Sequence, residues 1–173
     1  DRTTTWWEQT KPWHEYLARC QFLLRQGRFV ADLCFLQSEE GFNNPTLTSE
    51  MKPAAPEGYD FDFCSDEVVR TRMTVKDGRL VLPGGTSYRV LVLPQQRLMT
   101  PTLLRKIREL VRAGAIVYGP PPRQSPSLAD YPACDAEVKQ LVDELWPEGG
   151  GGDDTKLVRA LGPGKVIWGV PLD

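Results

Sequence analysis

The feature that most constrains this chain is a run of about thirty residues, from Tyr88 to Tyr118. It opens with Tyr88-Arg89-Val90-Leu91-Val92-Leu93-Pro94, short and almost wholly apolar. Thr100-Pro101 then supplies a helix cap followed by a proline at the first helical position, where its missing N–H costs nothing. Leu103, Leu104, Ile107, Leu110 and Val111 recur on one helical face, with Arg105, Lys106, Arg108 and Arg112 on the other. Gly114 ends the helix, and Ala115-Ile116-Val117-Tyr118 is a second short apolar run. A strand apolar at every position must be covered on both faces, the situation of a parallel sheet, and strand–helix–strand is its right-handed crossover unit. Phe29-Val30-Ala31-Asp32-Leu33-Cys34-Phe35-Leu36 and Lys165-Val166-Ile167-Trp168-Gly169 read as further buried strands. The fold class is therefore α/β, a doubly wound, mostly parallel sheet.

The remaining segments decorate that sheet. Residues 4–26 read as helical, with Trp13, Leu17, Cys20 and Leu24 forming a stripe. Pro12 forces Trp6-Trp7 into a short preceding turn, Thr10 is the expected cap, and Gly27 the expected C-terminal stop. Residues 37–58 read as a long loop rich in acidic residues, Asn and Pro. Tyr59 to Phe63 alternates like a short strand, and Ser65-Asp66-Glu67 opens a short helix to about Arg70. Met73 to Leu82 is a hairpin inserted into the α/β frame, its Asp77-Gly78 suited to a type I′ turn. A helix is expected from about Asp135 to Trp146, a flexible tip at Gly149–Gly152, and a turn at Leu157-Val158-Arg159. The division that follows is a leading helix, 1–27, and an α/β domain, 28–173. The chain starts at Asp1 without Met and stops just after an apolar run. Both ends read as cuts in a longer polypeptide.

Twenty-one Lys and Arg against 23 Asp and Glu leave a net charge of −2, which argues against a large basic surface for nucleic acid. No apolar run approaches the roughly 20 residues of a membrane span. The four cysteines (Cys20, Cys34, Cys64, Cys134) stand far apart and read as free thiols, although a disulfide in an oxidising compartment stays open. With one histidine, His14, in the leading helix, neither a zinc site nor a triad base is at hand. The turn after the first strand reads Gln-Ser-Glu-Glu-Gly, acidic where a pyrophosphate would dock, and no phosphate loop or nucleophile elbow follows any strand. What stands at the carboxyl ends of the strands is carboxylates and amides. Glu39 or Glu40 with Asp60 or Asp62 could form an acid/base pair or a calcium site, or could serve only as solvated or loop-bonding groups. Gln37 and Gln95 are the candidate ligand-binding amides.

The strings Asp1-Arg2-Thr3-Thr4-Thr5-Trp6-Trp7-Glu8-Gln9, Trp13 to Gln21, Gly27 to Asp32, Gly58 to Phe63, Val75 to Leu80, Ser87 to Pro94 and Gly164 to Gly169 come in order across every expected element. Together they resemble the region that follows the catalytic barrel in bacterial α-L-rhamnosidases of glycoside hydrolase family 106. The resemblance implies that residues 1–27 are the last helix of an upstream (β/α) barrel. It also implies that 28–173 form a class I glutamine-amidotransferase-like, flavodoxin-shaped domain. It places acidic catalysis and a calcium ion in the barrel, so it brings no catalytic residue, metal ligand or cofactor to this chain. The amidotransferase elbow is missing, because Pro94-Gln95-Gln96 follows Leu93.

The expected role is then an accessory, non-catalytic domain of a rhamnosidase-type glycoside hydrolase. Its partners would be the upstream barrel of the same polypeptide and the parent's carbohydrate substrate, with neither nucleic acid nor membrane. A domain isolated from that barrel would expose the former interface and offer it for homodimerisation, and the parent would be periplasmic or secreted. Two alternatives are a self-sufficient small hydrolase using Glu39 with Asp62, and a flavodoxin-shaped small-molecule binding module.

Overall fold

The structure is a computed structural model that describes residues 3–39, 51–147 and 156–172. A 3-10 turn, Trp7–Gln9, leads into α1 (Lys11–Leu24). Then follow β1 (Leu33–Leu36), β2 (Phe61–Cys64), α2 (Asp66–Arg72), β3 (Thr74–Lys76), β4 (Arg79–Val81), β5 (Ser87–Tyr88) and β6 (Val90–Val92). The chain continues with α3 (Pro101–Arg112), β7 (Ile116–Tyr118), α4 (Ala133–Leu145), β8 (Leu157–Leu161) and β9 (Gly164–Trp168).

Six strands form the main sheet in the order β2-β1-β6-β7-β9-β8, all parallel except the edge strand β8. Numbering the parallel strands alone in chain order gives 2-1-3-4-5, the flavodoxin-like doubly wound arrangement. The two faces are covered differently. Cys34, Leu36, Leu91, Val117 and Val166 meet Val69 of α2, the five apolar residues of α3 and Val138, Leu141 and Leu145 of α4 in one buried cluster. On the other face Leu33, Phe35, Val92 and Tyr118 pack with Phe61, Ile167 and Trp168. Among the described residues no helix joins that second cluster; Met51, Ala55 and Leu172 do.

α3 forms as its sequence dictates. Thr100 Oγ1 accepts from Leu103 N–H, Pro101 starts the helix, all five apolar residues are buried, and Gly114 leaves at φ 118°. α2 is capped by Ser65 in the same way. The β3–β4 turn has Asp77 at φ 53° and Gly78 at φ 72°, the pair of positive angles a type I′ turn needs.

Five expectations are corrected. The strand expected from Phe29 starts at Leu33, where both neighbours begin to pair, and Phe29 and Val30 lie exposed before it. The single strand expected over Tyr88–Pro94 is two: β5 closes a three-stranded antiparallel sheet (β3-β4-β5), and β6 enters the main sheet. Arg89 is the corner between them, where Arg89 and Val90 both donate N–H to the Asp32 carbonyl. Leu157 to Arg159 is no turn but part of β8, zipped to β9 across Gly162-Pro163, with Gly162 at φ 66°. Thr10 does not cap α1; its hydroxyl donates back to the Trp7 carbonyl (2.7 Å). Gly27 does not close it either, because α1 stops at Leu24 and Gln26 Nε2 takes the Phe22 carbonyl (2.8 Å). The tip at Gly149–Gly152 lies outside the described residues.

Candidate functional site

In a 2-1-3-4-5 sheet the connections run in opposite directions from the β1/β6 boundary, and that crevice is where such folds take ligands. Here a carboxylate of the protein itself stands at that crevice. Glu39, three residues beyond β1, accepts from Thr100 N–H (2.6 Å) and from Thr100 Oγ1–H (2.8 Å). Thr100 Oγ1 in turn accepts from Leu103 N–H (3.4 Å), so the carboxylate is wired through the cap into the first turn of α3. The positive end of a helix is the natural seat of a phosphate or other anion. At α3 that seat holds the Glu39 carboxylate.

Beside it opens a cleft of about 430 Å³ between the first turns of α3 and α4. Glu39, Arg70, Arg105 and Glu137 in its lining are all paired. Arg105 bonds Glu137 (2.7 Å) and Thr102 (3.2 Å), and Arg70 bonds Asp66 within α2 (2.7 Å). Cys134 Sγ donates to the Ser127 carbonyl (3.7 Å), and the Asp135 carboxylate accepts from Ser125 N–H (2.8 Å). Such a network holds two helix ends and a loop in register, and leaves little polar capacity for a ligand.

Asp62 has a different post. Its register partner is Cys34 in mid-sheet, and its carboxylate accepts from Tyr88 O–H (2.9 Å) and Phe63 N–H (2.8 Å). Burial, reinforced by the Asp62 carboxylate, raises the Tyr88 phenol above its ordinary value. The pair thus bolts the small sheet to the large one. Asp62 is not among the residues lining the cleft that Glu39 lines. Asp60 accepts from Phe61 N–H (2.9 Å). Glu40 lies outside the described residues. Gln37 donates its backbone N–H to Cys64 O (2.9 Å), prolonging the β1–β2 pairing. His14 packs edge-on against Trp7 in the leading segment.

Gln95 stands apart from these, in a second pocket at the carboxyl ends of β6, β7 and β9. Arg97, Arg123 and Trp168 complete the described lining. Sequence reasoning passed over those three, although each closely follows or ends a parallel strand. All four cysteines are free; hydrogen bonding to Cys64, with burial, pushes the Cys34 thiol far up.

The family model of the α-L-rhamnosidases, glycoside hydrolase 106, matches residues 1–173, the whole chain. This chain belongs to the glycoside hydrolase 106 family. It is 42% identical over 149 residues to a Formosa agariphila protein named "Putative beta-glucuronidase", a match covering 86% of this chain and 12% of that protein. It also superposes on the rhamnosidase of Novosphingobium sp. PP1Y with a TM-score of 0.72 and 30% identity, covering 95% of this chain and 15% of that one. The rhamnosidase-family chain therefore spans about an eighth to a seventh of the relatives it matches. Calcium, which the resemblance puts in the barrel, takes about six to eight oxygen ligands. Among the described residues of this family member no group of three or more His, Cys, Asp or Glu side chains could hold a metal ion.

Proposed function

We propose that this chain is a non-catalytic, amidotransferase-like accessory domain of an α-L-rhamnosidase-type glycoside hydrolase. The observation that carries this reading is the commitment of Glu39. A glycosidase needs two carboxyl groups facing one bond, roughly 5–9.5 Å apart, one of them available as an acid. Glu39 instead spends both oxygens on the α3 cap, and Asp62 is bonded to Tyr88 away from that cleft. The chain's share of its relatives, 12% and 15%, supports a catalytic centre carried elsewhere in the polypeptide.

The partner of this reading is the preceding part of the same polypeptide, and α1 is the docking element. No residue of α1 is buried, although it carries Trp13, Tyr16, Phe22, Leu23 and Leu24. A free surface rarely keeps so many large apolar side chains on one helix.

The deciding experiment assays the purified chain, shown folded by circular dichroism, against an aryl α-L-rhamnoside and other aryl glycosides with calcium present. The expected result is no turnover. Turnover abolished by Glu39→Gln or Asp62→Asn would overturn the reading and make the chain a minimal hydrolase.

A further inference from the structure

We propose that Asp60 and Asp62 are a strand stop: their carboxylates occupy the outward amides of β2 and keep a strand of a second copy from adding to that edge of the sheet. β2 is an edge strand, and among the described residues no strand pairs with its outer side. In a parallel ladder alternate residues turn their backbone groups toward the neighbouring strand. Leu33 N–H donates to the Asp60 carbonyl (3.3 Å) and Gln37 N–H to the Cys64 carbonyl (2.9 Å). The register between them runs from Leu33–Phe61 to Leu36–Cys64 without a break. The backbones of Asp60, Asp62 and Cys64 therefore face β1, and those of Phe61 and Phe63 face outward.

Those two outward donors are the two that the aspartates take. Phe61 N–H donates to Asp60 Oδ1 (2.9 Å) and Phe63 N–H to Asp62 Oδ1 (2.8 Å), in each case the residue just before. An aspartate is short enough to bond the backbone beside it. The alternation Asp-Phe-Asp-Phe thus sets one carboxylate on each open rung. Asp62 has its second oxygen on Tyr88 O–H (2.9 Å), while the Asp60 side chain lies in an exposed residue.

This edge has reason to be closed. A row of unpaired N–H and C=O groups is a template for another chain. The side chains add to the attraction. Phe61 and Phe63 meet edge-on at 5.6 Å between centroids, both lie against Phe35, and Phe63 is 38% exposed. Alternating aromatics favour extended pairing, which would bury them further. The carboxylates oppose this in two ways. A charge-assisted bond is about twice as strong as the neutral bond an incoming carbonyl would offer in exchange. That carbonyl oxygen would also have to approach the point where a carboxylate oxygen already stands, negative against negative.

The test compares the wild-type chain with Asp60→Ala, Asp60→Asn, Tyr88→Phe and the double variant Asp60→Ala with Asp62→Ala, by amide hydrogen exchange and sedimentation. In dilute Asp60→Ala the Phe61 amide should exchange about two- to tenfold faster after correction for intrinsic rate, the scale of one lost hydrogen bond. Asp60→Asn keeps the acceptor and should exchange as the wild type does. The double variant should associate at lower concentration than the wild type, with the Phe61 and Phe63 amides protected in the associated form. Any association through α1 is common to all these chains, so a difference between them belongs to β2. Tyr88→Phe loses the bond to Asp62 but keeps both carboxylates, and should associate as the wild type does. Unchanged exchange at Phe61 in Asp60→Ala overturns the proposal, and this single exposed substitution decides even if the double variant does not fold. So does association of the double variant no stronger than wild type, or association that leaves the two amides unprotected. Association of Asp60→Asn or Tyr88→Phe equal to that of the double variant overturns it as well.

Discussion

Glu39 shows how much of this domain's character rests on single side chains. Its carboxylate satisfies two donors at a helix end and offsets the positive pole of α3. Glu39→Gln keeps one acceptor and loses the charge, whereas Glu39→Ala leaves Thr100 N–H without its partner. Urea unfolding should therefore rank wild type above Gln above Ala, with the last lower by about 1–3 kcal/mol. Equal stability of all three would deny the carboxylate its structural post. Tyr88 gives a pH dependence with a definite sign. Its phenol is raised in the folded state, so at high pH the unfolded chain loses that proton first. The stabilisation is complete below the ordinary tyrosine range, near pH 10, and is lost as pH climbs above it. Tyr88→Phe should be less stable at neutral pH and should show a shallower loss of stability between about pH 10 and 12. The thiols differ as sharply. Cys20 is half-exposed, while Cys34 is buried and held against ionisation by Cys64 and its surroundings. An alkylating reagent should label Cys20 in the folded chain and reach Cys34 only after denaturant is added, which mass spectrometry reads directly.

Among the elements, those with complete local signals were legible before the structure. α3 carried its cap, its proline, its stripe and its glycine in the right order, and Asp77-Gly78 carried the β3–β4 turn. What escaped was whatever depends on a neighbour. Nothing local distinguishes Phe29 from Leu33 as the start of β1; the partners Phe61 and Val90 do, by pairing from Leu33 onward. β8 is mostly exposed and borrows its order from β9, so its own residues carry little strand pattern. The candidate site follows the same rule. Glu39 and Asp62 were legible as carboxylates near a sheet, but their bonds to Thr100 and Tyr88 span 61 and 26 residues. Gly164 is a close approach of this non-local kind. A Cβ there would land on the carbonyl oxygens of Val111 and Ala115, where β9 passes the end of α3. Gly164→Ala should destabilise by at least about 2 kcal/mol, measured by thermal or urea unfolding. A wild-type melting curve from that variant would mean β9 can move away from α3 at no cost.

At the scale of the whole molecule, two surfaces are unfinished in different ways. The sheet face of Phe35, Phe61 and Tyr118 has no helix among the described residues, yet most of its side chains are buried or half-buried in a cluster that Met51, Ala55 and Leu172 join. α1 is the more open of the two: Leu23, Leu24 and Phe22 stand 69%, 83% and 64% exposed, and Trp6 and Trp13 more than half. Burial of those side chains at about 25 cal/mol per Å² would favour association strongly, with the proposed barrel partner or with a second copy. Because no residue of α1 is buried, the two properties should separate. The intact chain should self-associate with rising concentration in sedimentation experiments. A chain beginning at Arg28 should stay monomeric and melt within a few degrees of the intact chain at low concentration. Leu24→Glu with Trp13→Glu should reproduce the monomer without shortening the chain. A truncated chain that unfolded outright would show instead that the leading helix is part of the body, and would remove the basis for treating residues 1–27 as its docking arm.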